Sequence, residues 1–332
     1  MGTVRWGILS TAKINDKWLA GARRAAGSEV VAVASRDGAR AERYAEERAI
    51  PRAHGSYEGL LADPELDAIY ISLPNSLHVE WTRRALAAGK HVLCEKPLSG
   101  DPHEVTELFD LADARGLQLM EAFMYRHHPQ TLRVQELVAD GAIGALRVIR
   151  SAFSFPIGRD DDVRLSVGLG GGGLLDVGCY CVSAARMLAG EPERVHAERT
   201  VGGDGVDVTF AGVMRFAGDV LAYFDAGVVL PHRSQLEVVG DRGALLVSDP
   251  WHCREPGIEW RRDDDTRRIE IEPADSYRLE VENLSAAIAG SVRPLLGRED
   301  AVGQARAIEA LRAAAEDGGH AEHSSMPVLP LT

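Results

Sequence analysis

The chain has 332 residues, of which 45% are hydrophobic and 26% charged, a composition typical of globular proteins and a length that favours two domains. Its formal net charge of −13 opposes nonspecific attraction to nucleic acid and anionic lipid, so we expect neither as a partner. Apolar runs stay short of a membrane span and no signal-peptide block precedes the first strand, which predicts a cytoplasmic protein. The cysteines lack the paired spacing of a zinc site, so no metal is expected.

The first part of the chain alternates short apolar runs with amphipathic stretches. The runs with strand character are residues 4–9, 30–34, 68–73, 91–94 and 117–122. The segments between them carry helical spacing, and strands that alternate with helices form a parallel sheet with right-handed crossovers. We therefore predict an α/β domain over residues 1–123.

Beyond residue 123 the pattern changes to one helix followed by many strands. The helix is predicted over residues 130–139 and ends at Gly141. The strand-like runs are residues 146–155, 206–216, 220–229, 235–239, 244–247, 258–261 and 267–271. Turn sequences at 217–219 and 240–243 favour antiparallel hairpins. Residues 124–332 are therefore expected to form an α+β domain with a large, mostly antiparallel sheet.

A turn of small residues follows the first predicted strand. The three positions that are glycine in a dinucleotide-binding fingerprint hold Ser10, Ala12 and Asn15. Glycines there permit close approach of a pyrophosphate to a helix N-terminus, and serine or alanine still permits it if the turn keeps negative φ. A plain βα turn is the alternative, but the position in a βαβ series favours cofactor binding. The predicted cofactor residues of this turn are Ser10, Thr11, Ala12, Lys13 and Ile14.

The second predicted strand leads into Ser35, Arg36 and Asp37. An NAD-preferring site usually carries an acid at the strand end to bond the ribose 2′-hydroxyl, whereas Ser35 and Arg36 suit a 2′-phosphate. Asp37 lies too far along the chain to act simply as that acid. We therefore predict NADP(H) in preference to NAD(H), with Arg36 as an ordinary surface arginine as the alternative.

Polar residues also follow the strand predicted at 68–73. Pro74 ends this strand, and His78 opens the next helix. Asn75 and Ser76 would either cap that helix or contact the cofactor, and the pattern does not decide between the two. The residues assigned to the cofactor here are Leu73, Pro74, Asn75 and His78.

One lysine lies at the end of a predicted buried strand. Lys96 follows the strand at 91–94 within the sequence Glu95-Lys96-Pro97, and the chain has only four lysines among its 37 basic residues. Open α/β sheets bind ligands at the carboxyl ends of their strands, so this ammonium predicts a functional residue. The alternative is a solvated lysine before a turn proline.

Four glycines at 170–173 precede a predicted helix that contains Asp176 and Tyr180. These two residues are four apart and share one face of the helix, which suits positioning and proton transfer on a substrate hydroxyl or carbonyl. An ordinary tyrosine pKa of about 10 is too high for a general base at neutral pH, so we expect the Lys96 ammonium to lower it. The alternative is a helix-capping aspartate with a half-buried tyrosine.

Taken together, these motifs resemble the Gfo/Idh/MocA family of NAD(P)-dependent oxidoreductases. The motifs are Glu95-Lys96-Pro97, the turn at 10–15 and Gly172-Gly173-x-x-Asp176-x-Gly178-x-Tyr180. Residues 120–129 are similar to the branch that holds NADP-dependent D-xylose 1-dehydrogenases and dimeric trans-dihydrodiol dehydrogenases. The resemblance implies a Rossmann N-terminal domain, hydride transfer at the nicotinamide, and a homodimer or homotetramer formed through the C-terminal sheet.

The resemblance also implies roles for individual residues. Lys96 would contact the nicotinamide ribose and the substrate, Asp176 would bind a substrate hydroxyl, and Tyr180 would be the acid/base. Pro97 would follow a cis peptide in the cofactor loop. Glu95 and Glu121 are assigned to the cofactor pocket, Glu121 with packing between the domains as the alternative. Arg126, His128 and Arg164 are assigned to the substrate. For His128 the alternative is a pre-proline residue that leads into the next helix, and for Arg164 a surface ion pair is the favoured alternative.

We therefore expect an NADP(H)-dependent oxidoreductase that acts on the hydroxyl or carbonyl of a small carbohydrate or diol. One alternative is a 3-keto deoxysugar-nucleotide reductase, which would need cationic groups for a diphosphate beyond the nicotinamide. The alternative from another class is a catalytically silent ligand sensor or co-regulator on the same fold. A sensor has no need of the pair Lys96 and Tyr180, and their presence favours an enzyme.

Overall fold

A six-stranded parallel sheet forms the N-terminal part of the computed structural model, which describes residues 2–158 and 162–317. Its strands are β1 (Val4–Leu9), β2 (Ser28–Ala34), β3 (Arg52–His54), β4 (Ala68–Ile71), β5 (His91–Glu95) and β6 (Leu119–Ala122). The helices between them are α1 (Ile14–Ala22), α2 (Gly38–Glu47), α3 (Tyr57–Leu61), α4 (His78–Ala87) and α5 (Pro102–Ala114). The strand order β3-β2-β1-β4-β5-β6 confirms the predicted Rossmann-type sheet and places its topological switch point between β1 and β4.

The central strands of this sheet were predictable because helices cover both of its faces. Such strands are continuous apolar runs, and all of β4 is buried. The short edge strand β3 was not predicted, since three residues are too few to show a period of two.

An eight-stranded sheet forms most of the C-terminal part. Its strands are β7 (Leu146–Pro156), β8 (Arg194–Val201), β9 (Asp207–Phe216), β10 (Val220–Gly227), β11 (Val229–Gly240), β12 (Ala244–Val247), β13 (Gly257–Arg262) and β14 (Asp265–Glu270). The strand order is β14-β13-β12-β11-β7-β10-β9-β8. Among the described strands of this second sheet, only β7 and β10 pair in parallel, which confirms the expected mostly antiparallel sheet.

Four helices accompany the second sheet: α6 (Pro129–Ala139), α7 (Cys179–Ala189), α8 (Ser276–Ile288) and α9 (Arg298–Asp317). The edge strand β8 was missed because Ala197 is its single buried residue, so it lacks an apolar stripe. The prediction of one strand over 220–229 was wrong at its end, since β10 stops at Gly227 and β11 starts at Val229.

One hydrophobic core joins the two sheets. It runs from Trp18 and Tyr70, which stack with ring centroids 4.2 Å apart, to Tyr180 and Trp251 of the C-terminal part. Helix α8 packs on α1 and α9 packs on α5, so C-terminal helices cover N-terminal ones. The carboxyl ends of the parallel strands therefore face side chains of the second sheet and of α7.

The helical stretch Val167–Ala189 has a mean hydropathy of 1.3 and is long and apolar enough, by length and composition alone, to cross a membrane. It is 61% buried within the protein, and residues 179–186 of α7 lie in the core. The expectation that apolar runs stay short of a membrane span is thereby corrected. Burial at the centre of the C-terminal part accounts for the apolar composition.

Candidate active site

The turn after β1 contains a residue in a glycine-like conformation. Ser10 has a φ of 130°, a region that costs a residue with a side chain on the order of 1–3 kcal/mol. Its hydroxyl lies 2.8 Å from Ser72 Oγ and donates to the Ser72 carbonyl at 3.1 Å, while Asn15 Nδ2 donates to the Ser10 carbonyl at 2.9 Å. The expectation of negative φ throughout the turn is therefore wrong at Ser10, where hydrogen bonds hold the conformation that a glycine would adopt freely.

Helix α1 starts directly after this turn, and none of the described side chains caps its N-terminus. The Ala12 N–H donates to Ser10 Oγ at 3.2 Å, and Lys13 is exposed. Free backbone N–H groups at a helix N-terminus suit a bound diphosphate. The geometry of residues 10–14 therefore fits a dinucleotide.

At the end of β2, cationic groups gather where a 2′-phosphate is expected. Arg36 is exposed. Burial raises the pKa of Tyr57, while the charges of Arg36 and Arg40 oppose that rise. The Asp37 carboxylate accepts the Arg40 N–H at 3.2 Å as the cap of α2, and Ser35 Oγ accepts the Asp37 N–H at 3.3 Å.

The loop after β4 crosses to the C-terminal part. Asn75 and Ser76 form a short 3₁₀ turn, and neither of them caps α4 in the described structure. The helix-capping interpretation is therefore wrong. Asn75 Nδ2 donates instead to the Gly170 carbonyl at 2.8 Å, which ties this loop to the glycine run.

His78 joins the loops that follow β4 and β5. Its ring is fully buried, with Nδ1 2.8 Å from the Pro97 carbonyl and Nε2 2.8 Å from the Leu73 carbonyl. Burial lowers the pKa of His78, and a neutral imidazole donates to only one of these two oxygens. His78 therefore holds the backbone of Leu73 and Pro97 in place from behind and is not itself accessible to a cofactor.

The end of β5 is fixed by a carboxylate. The Glu95 carboxylate accepts hydrogen bonds from the Tyr70 hydroxyl at 2.6 Å and from the Lys96 backbone N–H at 3.3 Å. Burial raises the pKa of Glu95, while Lys96 and Tyr70 act against that rise. The following Lys96–Pro97 peptide is cis, as the resemblance implied. Glu95 therefore anchors the strand end from which the Lys96 side chain projects.

Lys96 meets Asp176 across the two parts of the molecule. Its Nζ donates to the Asp176 carbonyl at 2.6 Å and lies 3.4 Å from Asp176 Oδ1. Burial opposes the charge, but Asp176 and Glu95 outweigh it and the pKa of Lys96 is raised. Lys96 therefore remains an ammonium at neutral pH.

Arg164 also lies against the Asp176 carboxylate, although a surface ion pair was the favoured prediction for it. Its Nε lies 2.8 Å from Asp176 Oδ2, and its guanidinium also pairs with Asp162 at 3.1 Å. Burial opposes the charge of Arg164, but Asp176 and Asp162 outweigh it and raise its pKa. The prediction of a surface ion pair alone is therefore wrong, because Arg164 pairs with Asp176 as well as with Asp162. Arg164 and Lys96 thus contact the two oxygens of the Asp176 carboxylate.

The glycine run makes this arrangement possible by close packing. A Cβ on Gly171 would lie 2.3 Å from the Arg164 carbonyl oxygen, and one on Gly172, whose φ is 123°, would lie 2.1 Å from Asp207 Oδ1. Asp207 Oδ2 accepts the Leu174 N–H at 2.7 Å and so starts the π-helical turn 174–178 that carries Asp176. A side chain at 171 would displace the Arg164 backbone, and one at 172 would displace the Asp207 carboxylate.

Tyr180 lies in an aromatic cage on the first turn of α7. Four rings lie with centroids 5.3 to 6.0 Å from its own: Phe123, Tyr125, Phe153 and Trp251. Trp251 is itself fully buried, and its Nε1 donates to the Ala152 carbonyl at 3.0 Å. The cage fixes the Tyr180 ring and excludes water from it.

The polar contacts of Tyr180 correct one expectation. Lys96 Nζ lies over the Tyr180 ring, 5.1 Å from its centroid, and the phenol donates to Met124 Sδ at 3.6 Å. Burial raises the pKa of Tyr180 well above its ordinary value, and the nearby Tyr277 and Glu95 act in the same direction. The expected net lowering by Lys96 is therefore wrong here, because burial is the largest effect on this phenol and raises its pKa.

Glu121 lies behind the cofactor loop. It is 2% exposed, and its Oε1 accepts the Leu98 N–H at 2.8 Å while Oε2 has no partner among the described residues. Burial raises the pKa of Glu121 to about 8, so the carboxyl is protonated at neutral pH. Glu121 supports the loop that Lys96 and Pro97 begin.

Two weaker substrate candidates lie away from this constellation. Arg126 is buried against Asp300 at 3.2 Å and Ser183 at 3.3 Å, so its charge is already paired in the core. His128 is fully buried, and its Nδ1 accepts the Gln130 N–H at 3.1 Å as the cap of α6. The structure thus brings together Lys96, Asp176, Tyr180 and Arg164, and it leaves Arg126 and His128 outside.

Two family models match the chain. Residues 4–123 match the oxidoreductase family with an NAD-binding Rossmann fold, and residues 131–246 match the GFO/IDH/MocA C-terminal domain. These segments carry the first sheet and the core of the second sheet, including both sides of the Lys96–Asp176 contact.

Relatives of known activity match over most of the chain. The D-xylose 1-dehydrogenase (NADP(+)) 2 of Haloferax volcanii is 42% identical over 96% of this chain and 99% of its own length. The trans-1,2-dihydrobenzene-1,2-diol dehydrogenase of Mus musculus is 36% identical over 75% of each chain. A crystal structure of a 3-ketoreductase from Actinomadura kijaniata in complex with NADP and TDP-benzene has a TM-score of 0.89 and 32% identity over 94% of this chain and 98% of that one. The chain belongs to the Gfo/Idh/MocA family of oxidoreductases.

Proposed function

We propose that this protein is an NADP(H)-dependent oxidoreductase that transfers hydride between the nicotinamide and a carbon bearing a hydroxyl or carbonyl in a sugar or sugar-like diol. The observation that carries this proposal is the convergence of Lys96, Asp176 and Tyr180 at the carboxyl ends of the parallel strands. The D-xylose and dihydrodiol dehydrogenases among the relatives support the same chemistry.

The residues that would hold NADP lie along the strand ends described above. The turn at 10–14 would receive the diphosphate, Ser35 and Arg36 the 2′-phosphate, and the backbone of Leu73 and Pro74 the adjoining ribose. When bound, the cofactor supplies the hydride donor or acceptor. Buried rings around Tyr180 would keep water from the reacting atoms.

The protein's own groups would orient the substrate and move one proton. The Asp176 carboxylate would accept a hydrogen bond from a substrate hydroxyl, while Lys96 would donate to the reacting oxygen. Because burial raises the pKa of Tyr180, the phenol keeps its proton at neutral pH. Tyr180 is therefore suited to donate a proton to a carbonyl that is being reduced, and oxidation in the reverse direction should speed up as the pH rises.

The open face of the C-terminal sheet supports an oligomer. Val213 and Tyr223 are cross-strand partners, and each is 45% exposed. Leu221, on the same strand as Tyr223, is 40% exposed. An apolar sheet face of this kind is stabilised by burial against another surface, and we propose a homodimer or homotetramer formed through it. Static light scattering tests this, and a monomer at micromolar concentration would contradict it. The domain boundary after residue 123 and a cytoplasmic location remain predictions.

Absorbance of NADPH gives the test of the activity. The purified protein would be screened with aldoses and diols in the presence of NADP, and with keto-sugar nucleotides in the presence of NADPH, each repeated with the cofactor that lacks the 2′-phosphate. We expect turnover with at least one class, faster with NADP(H) than with NAD(H). Binding of NADPH without turnover of any of them would instead indicate the silent sensor.

A further inference from the structure

The helix that carries Tyr180 begins with an irregular turn. Residues Leu174–Gly178 form a π turn, and the Cys179 N–H donates to the Leu174 carbonyl, five residues earlier in the chain. Turns of this kind are rare and occur mostly at functional sites. A π turn is wider than an α turn, so the angle between Asp176 and Tyr180 around the helix axis depends on where the π turn ends.

The side chain of Gln304 contacts the residue at which the π turn ends. Gln304 lies on α9 and is 1% exposed, and its Nε2 donates to the Cys179 carbonyl at 2.8 Å. Cys179 is the first residue of α7 and directly precedes Tyr180. A carbonyl oxygen has two lone pairs, so it can accept this bond as well as one within the helix. The amide of Gln304 therefore fixes the junction between the π turn and α7.

The other end of the same amide holds α7 further along the helix. Gln304 Oε1 accepts a hydrogen bond from Arg186 Nη1 at 3.1 Å, and the buried Arg186 also pairs with Glu191 at 2.6 Å. A Cβ on Gly303 would lie 2.1 Å from Arg186 Nη2, so a larger residue there would displace the guanidinium. Gln304 thus contacts α7 at Cys179 and at Arg186, which are seven residues or about two turns apart and share one face of the helix.

A second set of contacts connects α9 to the aromatic cage of Tyr180. Asp300, also on α9, pairs with Arg126 at 3.2 Å. Arg126 Nη1 and the Tyr125 hydroxyl both donate to Ser183 Oγ, at 3.3 and 2.8 Å, and Ser183 is a fully buried residue of α7. The centroid of the Tyr125 ring lies 5.6 Å from that of Tyr180. Helix α9 is therefore connected both to the backbone beside Tyr180 and to the rings around it.

Helix α9 also packs on the segment that follows Lys96. A Cβ on Gly100 would lie 3.5 Å from Ile308 Cγ2, so the loop between β5 and α5 lies against α9. Arg298, at the start of α9, pairs with two aspartates of α5 at 2.7 and 2.8 Å. The same helix thus contacts the loop that Lys96 begins and the helix that carries Tyr180.

We propose that Gln304 is a positioning residue for Tyr180 and acts by fixing the Cys179 carbonyl. The inference rests on the proposed function, which assigns proton transfer to Tyr180. Lys96 Nζ donates to the Asp176 carbonyl at 2.6 Å, so two nearby carbonyls of this helical segment are held, one from the parallel sheet and one from α9. These two contacts set the position of the Tyr180 hydroxyl relative to Asp176 and Lys96, and the reaction is sensitive to displacements of such a group by about 1 Å.

Two replacements of Gln304 separate its two contacts. Gln304→Met removes both hydrogen bonds and keeps an unbranched side chain, whereas Gln304→Glu keeps an acceptor for Arg186 and loses the donor to Cys179. The matched control is Lys90→Met. Lys90 is buried at the amino end of β5, and its Nζ donates to two backbone carbonyls at 2.7 and 2.8 Å. The control therefore also loses two buried hydrogen bonds, but at the end of the parallel strands opposite the candidate active site.

Steady-state kinetics with NADP(H) and a substrate identified by the absorbance screen, Tm, and deuterium uptake of residues 174–183 are measured for each variant. We expect kcat to fall about tenfold or more in both Gln304 variants while KM for NADP(H) stays near that of the parent, because Tyr180 is displaced and the cofactor residues are not. Since a buried hydrogen bond is lost, amide exchange within residues 174–183 should become up to about tenfold faster. Lys90→Met should lower Tm and leave kcat and this exchange unchanged.

The outcomes separate this inference from the proposed function. Parent-like kcat in Gln304→Glu would overturn the role of the Cys179 contact, and an equal loss of kcat in Lys90→Met would show that the variants act through general destabilisation. Deuterium uptake does not require turnover, so unchanged uptake of residues 174–183 in the Gln304 variants would refute the inference even without a known substrate. Failure of the proposed function would instead appear as absence of turnover by the parent protein.

Discussion

Arg164 Nε lies 2.8 Å from Asp176 Oδ2, while Lys96 Nζ lies 3.4 Å from Oδ1 of the same carboxylate. The carboxylate is thus fixed between a cation from its own half of the chain and one from the parallel sheet. A group held by two ion pairs has little rotational freedom and can bind a substrate hydroxyl in one orientation.

Arg164→Met should therefore weaken substrate binding without removing the reacting groups. We expect kcat/KM to fall about tenfold or more, mainly through KM, because Asp176 would bind the substrate and not exchange a proton with it. Fluorescence titration should show unchanged NADPH affinity. Arg133→Met, which removes an exposed pair with Glu136, is the control, and an equal effect in both variants would refute the role given to Arg164.

Replacement of Arg36 by alanine should affect the two cofactors differently. A charge-assisted hydrogen bond to a 2′-phosphate contributes roughly 1.5–3 kcal/mol, so NADP(H) affinity should fall while NAD(H) affinity is retained. Equal weakening for both cofactors would mean that Arg36 does not contact the 2′-phosphate.

The positive φ of Ser10 leads to an ordering of stabilities. Ser10→Ala keeps a strained Cβ and loses the hydrogen bonds to Ser72, so it should lower stability by about 1–3 kcal/mol. Ser10→Gly loses the same bonds but relieves the strain, and it should be less destabilising than Ser10→Ala. Thermal unfolding of both variants measures this, and the reverse order would show that the turn relaxes to negative φ.

Glu121 should make stability depend on pH. Its pKa is raised by burial to about 8 in the folded protein, above the ordinary value near 4.3 of an unfolded chain. The folded state therefore holds the proton more tightly, and this contribution is full below about pH 4 and is lost as the pH rises through about 8. The stability of Glu121→Gln relative to that of the parent should therefore increase as the pH rises from about 5 to about 9. A difference in Tm that is constant over this range would contradict the protonated Glu121.

The local sequence pattern was sufficient to predict those site residues whose position depends on a single helix or strand. Lys96 was predictable from its place at a strand end, and Asp176 and Tyr180 from their spacing of four on a helix. The pairing of Arg164 with Asp176 was not predictable from the sequence. It depends on how closely Gly171 packs on Arg164 and Gly172 on Asp207.

The pKa of Tyr180 also required the three-dimensional structure. The sequence placed an ammonium near a phenol, but the net direction of the pKa shift depends on whether burial outweighs that charge, which only the packing shows. The edge strands β3 and β8 escaped prediction for a different reason, since β3 has only three residues and β8 buries only Ala197, too few to leave a periodic pattern.

The turnover of Tyr180→Phe tests the central claim most directly. Phenylalanine keeps the ring within its aromatic cage and removes only the hydroxyl, which is the group proposed to exchange a proton with the substrate oxygen. General acid/base catalysis contributes about 10²–10⁴-fold in rate, so kcat should fall by that factor while NADPH affinity and Tm stay near those of the parent. A variant that retains near-normal turnover would show that Tyr180 only packs in the core and that another group moves the proton.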